Sequence, residues 1–157
     1  MQSVIPEIKS LFTSFSRQPI SSVEKLPQSG SDRTYFRIVT EDENSYIATY
    51  NPNRKETRTF IAFSRHFKST GSPVPAIYIC NLDETIYIQE DFGNISLLNK
   101  LEQYGYTDCS YNLFRKSLKD LAYMQIIGGK DLDYDLCLTA KEFGKQAILS
   151  DLLYFKY

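Results

Sequence analysis

The chain has 157 residues, of which 42% are hydrophobic and 24% charged, a composition typical of a folded globular protein rather than a disordered one. Its 18 basic and 19 acidic side chains give a net charge of −1, which argues against the strongly basic surface that non-specific binding to nucleic acid or anionic membranes requires. Three widely spaced cysteines form neither a disulfide framework nor a metal-binding pattern, and favour a reducing compartment: Cys80, Cys109 and Cys137.

The sequence predicts a cytoplasmic protein with no membrane or nucleic-acid partner. The first residues, Met-Gln-Ser-Val-Ile-Pro, show no basic stretch followed by an apolar run, which a secretory signal requires. No apolar stretch reaches the roughly 18 residues that a membrane-spanning helix needs.

The N-terminal part of the chain alternates between helix and strand signals. Apolar residues at helical spacing, with Pro6 in the first turn, predict a helix over residues 3–15. A second helix is predicted over 55–68, capped near Gly71. Its inner stripe is expected to consist of Phe60, Phe63, Ser64 and Phe67. β-rich runs bounded by polar turns predict five strands, at residues 21–27, 34–40, 45–50, 75–80 and 85–90.

From residue 96 onward the pattern is helical. Helices are predicted over residues 96–104, 110–127 and 139–157. The change near Gly93 predicts two parts, an α/β part over 1–92 and a helical part over 93–157. The helical part is expected to leave apolar side chains uncovered, and therefore to self-associate, at Phe143, Leu152, Leu153 and Phe155.

A turn of small residues joins the first two predicted strands. Its residues are Ser29, Gly30, Ser31, Asp32 and Arg33. Small side chains let backbone N–H groups approach a phosphate closely, and an arginine adds positive charge at a phosphate oxygen. The single glycine matches neither a Walker loop nor the glycine-rich loop of protein kinases, so a plain hairpin turn remains open as the local alternative.

The third predicted strand lacks the lysine that protein kinases carry there to hold the α- and β-phosphates and to pair with a helix glutamate. Thr49 or Tyr50 stands in its place. Glu56 opens the following helix, where a solvated acid also complements the helix dipole. The sequence therefore leaves open whether Glu56 has an ion-pair partner.

The fifth predicted strand runs into a short acidic link of Gln89, Glu90 and Asp91, followed by Phe92 and Gly93. A link of this kind resembles the hinge between the two lobes of a kinase, which offers backbone N–H and C=O groups to the edge of an adenine. A polar exit from a strand with a glycine turn is the alternative.

The remaining polar residues give no strong signal. His66 has no partner near it in the sequence, so neither catalysis nor metal binding is predicted for it. The alternating Asp131, Asp133 and Asp135 lack the glycine and the glutamate of a calcium loop and are interpreted as a solvated linker. No serine or cysteine nucleophile motif is present, and no metal ligand is predicted in this chain.

Taken in order, three blocks of the sequence resemble the aminoglycoside phosphotransferase family of kinase-like small-molecule kinases, which includes choline kinases. The likeness is greatest to its N-acetylmuramate (sugar) kinase-like branch. Residues 26–38 resemble the turn and second strand of that branch, which have the pattern small-Ser-x-Arg-x-Tyr-x-Arg. Glu56 and Phe60 on a helix, followed by Gly-Ser-Pro-Val-Pro at 71–75, resemble a second block. Residues 87–93, Tyr-Ile-Gln-Glu-Asp-Phe-Gly, are similar to the family's hinge.

The resemblance implies an α+β fold. A protein kinase-like N-lobe, with an antiparallel sheet of about five strands and one αC-type helix, would be followed by the first helices of an α-helical C-lobe. It also implies the nucleotide-binding portion of an ATP- or GTP-dependent phosphotransferase that uses Mg²⁺ and acts on a sugar-like small molecule. The turn from Ser29 to Arg33 would cover the nucleotide phosphates, and Glu56 would be the glutamate of the αC-type helix. The residues at the adenine hinge would be Gln89, Glu90 and Asp91.

The chain also departs from the family. The catalytic loop His-x-Asp-x-x-x-x-Asn and the later metal-binding aspartate are missing, since the one histidine, His66, has Lys68 two residues on. In the family that loop supplies the catalytic base, and the aspartate binds Mg²⁺. Without them no catalytic residue is assigned and no kinase turnover is expected, whether the chain is a fragment or the product of a truncated gene. The alternative is a non-catalytic, pseudokinase-like binding or regulatory module.

Overall fold

A computed structural model describes residues 4–27, 32–138, 141–142 and 144–154. Within that part of the chain the fold is α+β, with one five-stranded antiparallel sheet and five α-helices. The first segment of the fold comprises α1 (Ile5–Phe15), β1 (Ile20–Lys25), β2 (Thr34–Thr40), β3 (Ser45–Tyr50), α2 (Arg54–Ser69), β4 (Ile77–Cys80) and β5 (Ile86–Glu90). The second comprises α3 (Leu97–Tyr104), α4 (Asp108–Tyr123), a π-helical turn (Met124–Gly128), a 3₁₀ turn (Tyr134–Leu136) and α5 (Lys145–Tyr154).

The strands lie in the order β1-β2-β3-β5-β4, and each neighbouring pair is antiparallel. The registers align Tyr35 with Thr49 and Tyr87 in one row across the sheet, and Arg37 with Ile47 and Gln89 in the next. Because side chains alternate along a strand, these six residues share one face of the sheet. We call this the polar face.

The opposite face of the sheet forms the hydrophobic core with α1. Ile8 and Phe12 of α1 are fully buried against it. The sheet contributes Phe36, Ile38, Ala48, Ile86 and Ile88. Burying a side chain of this size contributes about 1.5–3 kcal/mol, so this contact is a large stabilising contribution to the α/β part.

Helix α2 begins at a side-chain cap, in which Asn53 Oδ1 accepts a hydrogen bond from the backbone N–H of Glu56 at 3.1 Å. The predicted inner stripe of this helix is wrong in detail. The buried residues of α2 are Thr57, Ile61 and Ser64, so of the four predicted residues only Ser64 is buried. The three phenylalanines are half-buried, because they occupy the neighbouring line of the helix and face a groove rather than the core.

The end of α2 contacts the π-helical turn that follows α4. His66 Nε2 lies 2.8 Å from the carbonyl oxygen of Gly128, and since that oxygen only accepts, Nε2 is the donor. Tyr123 donates its hydroxyl to the carbonyl of Thr70 at 2.7 Å. Gly128 is buried here, and a Cβ on it would lie 2.9 Å from the Phe67 ring. The backbone approaches α2 this closely because position 128 carries no side chain.

The helices after residue 96 bury little of their apolar surface. Among the described residues, α3 and α5 contain no buried side chain, and Ser110 is the one buried residue of α4. Leu118, Ile126, Leu152 and Leu153 are each about 60% exposed or more. The expected exposure of Leu152 and Leu153 is thus confirmed, while Phe143 and Phe155 lie outside the described residues. No described helix combines the length and the apolar character needed to cross a bilayer.

Replacing Gly128 by alanine should destabilise the protein by about 1–3 kcal/mol, because the new methyl group would overlap the Phe67 ring and lie 3.0 Å from Ser72 Oγ. Urea denaturation of Gly128→Ala measures the loss. Gly144→Ala is the matched control, since its methyl group would meet only the mobile end of the Glu142 side chain. Equal stability of the two variants would contradict this account of the contact.

The exposed apolar faces of α4 and α5 predict concentration-dependent self-association, because apolar patches of this extent are seldom left in water. Sedimentation velocity should show the average mass rising with protein concentration. Changing Leu152 and Leu153 together to serine should reduce the association, whereas Leu82→Ser, at a fully exposed leucine of the α/β part, should not. A single monomeric species at all concentrations would contradict the prediction.

Candidate functional site

Glu56 has an ion-pair partner, and it comes from the turn before β2 rather than from β3. Arg33 donates from Nε to Glu56 Oε1 at 3.0 Å, and its Nη2 contacts the same oxygen. The other carboxylate oxygen accepts from Asn51 Nδ2 at 3.2 Å. Asn51 is itself only 1% exposed. The hydrogen bonds from Arg33 and then Asn51 hold the pKa of Glu56 below its usual value, so the pair is charged at neutral pH.

The ion pair lies against two aromatic rings that lead to the polar face. The Arg33 guanidinium stacks over the Phe60 ring at 5.2 Å from its centroid. Phe60 in turn packs against Tyr87 of β5, with the ring centroids 5.2 Å apart. Arg33, Phe60 and Tyr87 therefore connect the first turn of α2 to the strand that ends at the acidic link.

Tyr87 is a site residue that the sequence analysis missed. It is almost fully buried, and burial raises the pKa of its hydroxyl to about 12, so the group is neutral at physiological pH. The Thr49 hydroxyl, directly across the strands, works against that rise. The two groups nevertheless do not form a hydrogen bond of normal geometry, and Thr49 Oγ1 is left without a partner. The alternation of β5, with Ile86 and Ile88 facing the core, was the signal that could have placed Tyr87 beside Gln89.

The carboxylate of Glu90 holds the sheet edge together. Its Oε2 accepts from Lys68 Nζ and from the backbone N–H of Ala76, both at 3.0 Å. The N–H of Glu90 donates to the carbonyl of Ala76 at 2.9 Å. The Ala76 N–H first, and then Lys68, lower the pKa of Glu90. Glu90 therefore anchors the segment before β4 to the end of β5.

Asp91 forms the most buried ion pair of the described residues, with Arg37 of β2. Arg37 Nε donates to Asp91 Oδ2 at 2.6 Å and Nη2 donates to Oδ1 at 3.1 Å, while the backbone N–H of Gly93 donates to Oδ1 at 2.7 Å. The side chain of Asp91 is only 2% exposed. Burial alone would raise the pKa of Asp91, but the hydrogen bonds from Arg37 and Gly93 outweigh it and leave the pKa below its ordinary value.

The same arginine also binds the residue at the far end of the link. Arg37 Nη1 donates to Asn94 Oδ1 at 2.6 Å. Because β2 and β5 are separated by β3, the Arg37 side chain crosses the polar face to reach the link. The segment from Asp91 to Asn94 is thus fixed to the sheet by a bidentate, charge-assisted contact.

Gln89 differs from its two acidic neighbours. Its amide oxygen is buried and has no hydrogen-bond partner. Within the described residues the one other buried side-chain N or O atom in that condition is Thr49 Oγ1. Both residues belong to the polar face, on adjacent strands. Of the two, Gln89 is the one that lies near the link, since Thr49 pairs with Tyr87 farther along the sheet.

A cavity of about 350 Å³ extends from the Arg33–Glu56 pair along α2. Its walls are mostly apolar, which explains why the phenylalanines of α2 are only half-buried. The lining includes Phe60, Phe63, Phe67, Val74 and Leu138.

The predicted turn is described only in part. Ser29, Gly30 and Ser31 lie outside the described residues, and Asp32 is exposed. Arg33 and Gln89 reach the same face of the sheet, Arg33 through Phe60 and Tyr87, and Gln89 by its register. No three acidic, histidine or cysteine side chains among the described residues stand close enough to hold a metal ion. Comparisons with protein-family models and with curated proteins found no match to this chain.

Replacing Asp91 by asparagine should lower the free energy of unfolding by about 2 kcal/mol, because Arg37 would lose a charged, two-point acceptor. The pKa of Asp91 is lowered by folding, so its contribution is complete above the unfolded pKa of about 4 and is lost as the pH falls through the folded value. Urea denaturation at pH 7 and pH 3 should show the difference between wild type and Asp91→Asn shrinking in acid.

The matched control is Asp83→Asn, which removes an exposed carboxylate paired with Arg54 at 3.5 Å. Exposed pairs of this kind contribute little, so its effect should be near zero at both pH values. An Asp91→Asn effect no larger than that of the control would contradict a structural role for the Arg37–Asp91 pair.

Proposed function

We propose that this chain is the nucleotide-binding portion of an ATP- or GTP-dependent small-molecule phosphotransferase resembling the aminoglycoside phosphotransferases, with a sugar as the favoured acceptor. The observation that carries the proposal is the Arg33–Glu56 ion pair, which stands on the same face of the sheet as Gln89 at the start of the link. A kinase-like nucleotide cleft requires two features. One is a cation paired with a helix glutamate, at the phosphate end of the cleft, and the other is a strand-to-link junction at the base end.

The order of elements supports the same proposal. Three strands precede α2, two strands follow it, and the acidic link then leads into helices. This is the order of a kinase small lobe, in which the helix after the third strand carries the glutamate that pairs with a phosphate-binding cation.

Arg33 takes the part of the missing strand lysine in this proposal. Thr49 stands on the polar face of β3, where it is fully buried and carries no charge. A guanidinium has five N–H donors in a planar fork, so an arginine that pairs with one carboxylate can also bind phosphate oxygens. Glu56 and the Phe60 ring hold the fork of Arg33 in place beside the turn proposed to cover the phosphates.

The Arg37–Asp91 pair supports the proposed role of the link. A hinge recognises a base through its backbone, so its backbone must be held in a defined course before the nucleotide arrives. Arg37 fixes that course by binding Asp91 and Asn94 together. The carboxylates of Glu90 and Asp91 serve this purpose, which leaves backbone groups and Gln89 for the base.

The proposal assigns no catalytic base and no Mg²⁺ ligand to this chain. Nucleotide binding without phosphoryl transfer is therefore the expected activity. The acceptor would bind mainly in the helical part of the whole enzyme, where the described helices leave apolar faces uncovered. Those faces also favour the second candidate, a pseudokinase-like module that binds a partner and no nucleotide.

Isothermal titration of the purified chain with ATP and Mg²⁺ should show saturable binding. Arg33→Met should weaken ATP binding about tenfold, because a charge-assisted contact to phosphate is lost. It should leave the binding of adenosine, which has no phosphates, unchanged. Arg54→Met is the matched control, since Arg54 belongs to the same helix turn as Glu56 but is exposed and pairs with Asp83.

The proposal fails if a well-folded sample shows no saturable binding at millimolar ATP, and the partner-binding module then remains. An equal effect of Arg33→Met on ATP and adenosine would remove the assigned role of Arg33 while leaving nucleotide binding intact.

A further inference from the structure

The apolar walls of the cavity along α2 have no part in the proposed nucleotide site. The cavity has a volume of about 350 Å³, which is the size of a small-molecule pocket. Phenylalanine rings of α2 form one wall, and two of them, Phe63 and Phe67, meet edge to face with their centroids 6.5 Å apart. The apolar lining is completed by Val74, Pro75 and Leu138. The cavity therefore offers aromatic surface to a flat, mainly apolar ligand.

One polar side chain of the lining is left without a partner. Ser64 is only 9% exposed and lines the cavity, yet its hydroxyl forms no hydrogen bond with any described residue. Serine inside a helix can donate to a carbonyl one turn earlier, as Ser117 of α4 does to Leu113. The other hydroxyl of the lining, that of Thr59, donates to the carbonyl of Leu136. Since buried polar groups nearly always have a partner, the free hydroxyl of Ser64 indicates a water or a ligand in the cavity.

The charges around the cavity select against an ion. Arg33 and Glu56 are the charged residues of its described lining, and they pair with each other. The other lining side chains are apolar or carry a hydroxyl. An ion in the cavity would lose its hydration without gaining an unpaired counter-charge, which costs much more than burying a neutral polar group. A hydroxyl both donates and accepts, so Ser64 suits a neutral hydroxyl group on the ligand.

We infer that the cavity along α2 binds an uncharged, flat aromatic molecule with one hydroxyl group, whose ring lies against the phenylalanines and whose hydroxyl bonds to Ser64 Oγ. A phenol or a small fused-ring alcohol has this chemistry. The inference goes beyond the proposed function, because this ligand carries no phosphate and leaves the Arg33–Glu56 pair intact. Phe60 belongs to the cavity and also stacks on Arg33, so the second site adjoins the proposed nucleotide site.

The test uses three naphthalene probes that differ in their polar group. They are 2-naphthol, which is uncharged at neutral pH, the anion 2-naphthoate, and naphthalene itself. Ligand-observed NMR titration of the wild-type chain, without nucleotide, should show saturable binding of 2-naphthol. The affinity for 2-naphthoate should be lower by at least about tenfold, because its charge would be buried without a free partner.

Ser64→Ala should weaken 2-naphthol about three- to tenfold, because one hydrogen bond is lost, and should leave the affinity for naphthalene unchanged. Naphthalene thus reports whether the cavity keeps its shape in the variant. Ser69→Ala is the matched control, since Ser69 belongs to the same helix but is exposed and bonds to the carbonyl of His66. It should change neither affinity.

The outcomes are decided without reference to ATP, so the failure of the proposed function and of this inference remain distinguishable. Absence of saturable 2-naphthol binding by the folded wild-type chain overturns the inference. Equally tight binding of 2-naphthoate overturns it too, because Arg33 would then be receiving an anion in the cavity. The same holds if Ser64→Ala leaves 2-naphthol unchanged or weakens both uncharged probes equally. The two wild-type comparisons need no variant, so the inference stays testable even if Ser64→Ala does not fold.

Discussion

The buried pair of Arg37 and Asp91 is the contact on which the arrangement of the polar face depends. It joins β2 to the segment after β5. Strand β3 lies between them and contributes Ile47 to the row of Arg37 and Gln89. A buried ion pair needs further hydrogen bonds to offset the loss of hydration, and here the Gly93 N–H donates to Asp91 and the Asn94 side chain accepts from Arg37. Gln89 lies two residues before this contact, paired with Ile47 of β3 and Ile77 of β4.

Arg37 of β2 and Arg33 of the turn before it have different roles. Arg37 is bound on both sides by groups of the link and has a structural role, whereas Arg33 is partly exposed, beside a cavity, with a carboxylate and an aromatic ring on its flanks. Both belong to one short block of sequence, four residues apart. The position of β2 in the sheet thus places one positive charge at the link and another at the first turn of α2.

The strands at 34–40 and 45–50 were predicted residue for residue, because strong alternation on both sides of a polar turn leaves little freedom. The ion pairs were not predictable in the same way. Arg33 and Glu56 are 23 positions apart, and Arg37 and Asp91 are 54 apart, so only the folded sheet brings them together. The stripe of α2 was misassigned because helical periodicity identifies an apolar line without showing which of two adjoining lines meets the core. Tyr87 was missed because a tyrosine between two isoleucines gives no polar signal of its own, although the alternation of β5 places it on the same face as Gln89.

The described hydrogen bonds that connect α2 and its C-terminal cap with the end of α4 and the segments after it share one property. Thr59 Oγ1 donates to the carbonyl of Leu136, His66 Nε2 to that of Gly128, and Tyr123, in the reverse direction, to that of Thr70. Each acceptor is a peptide oxygen, which no substitution of the side chain at that position can delete. Substitutions at the three accepting residues therefore keep these hydrogen bonds, apart from the limit on side-chain size at Gly128. Substitutions at the three donor residues remove them.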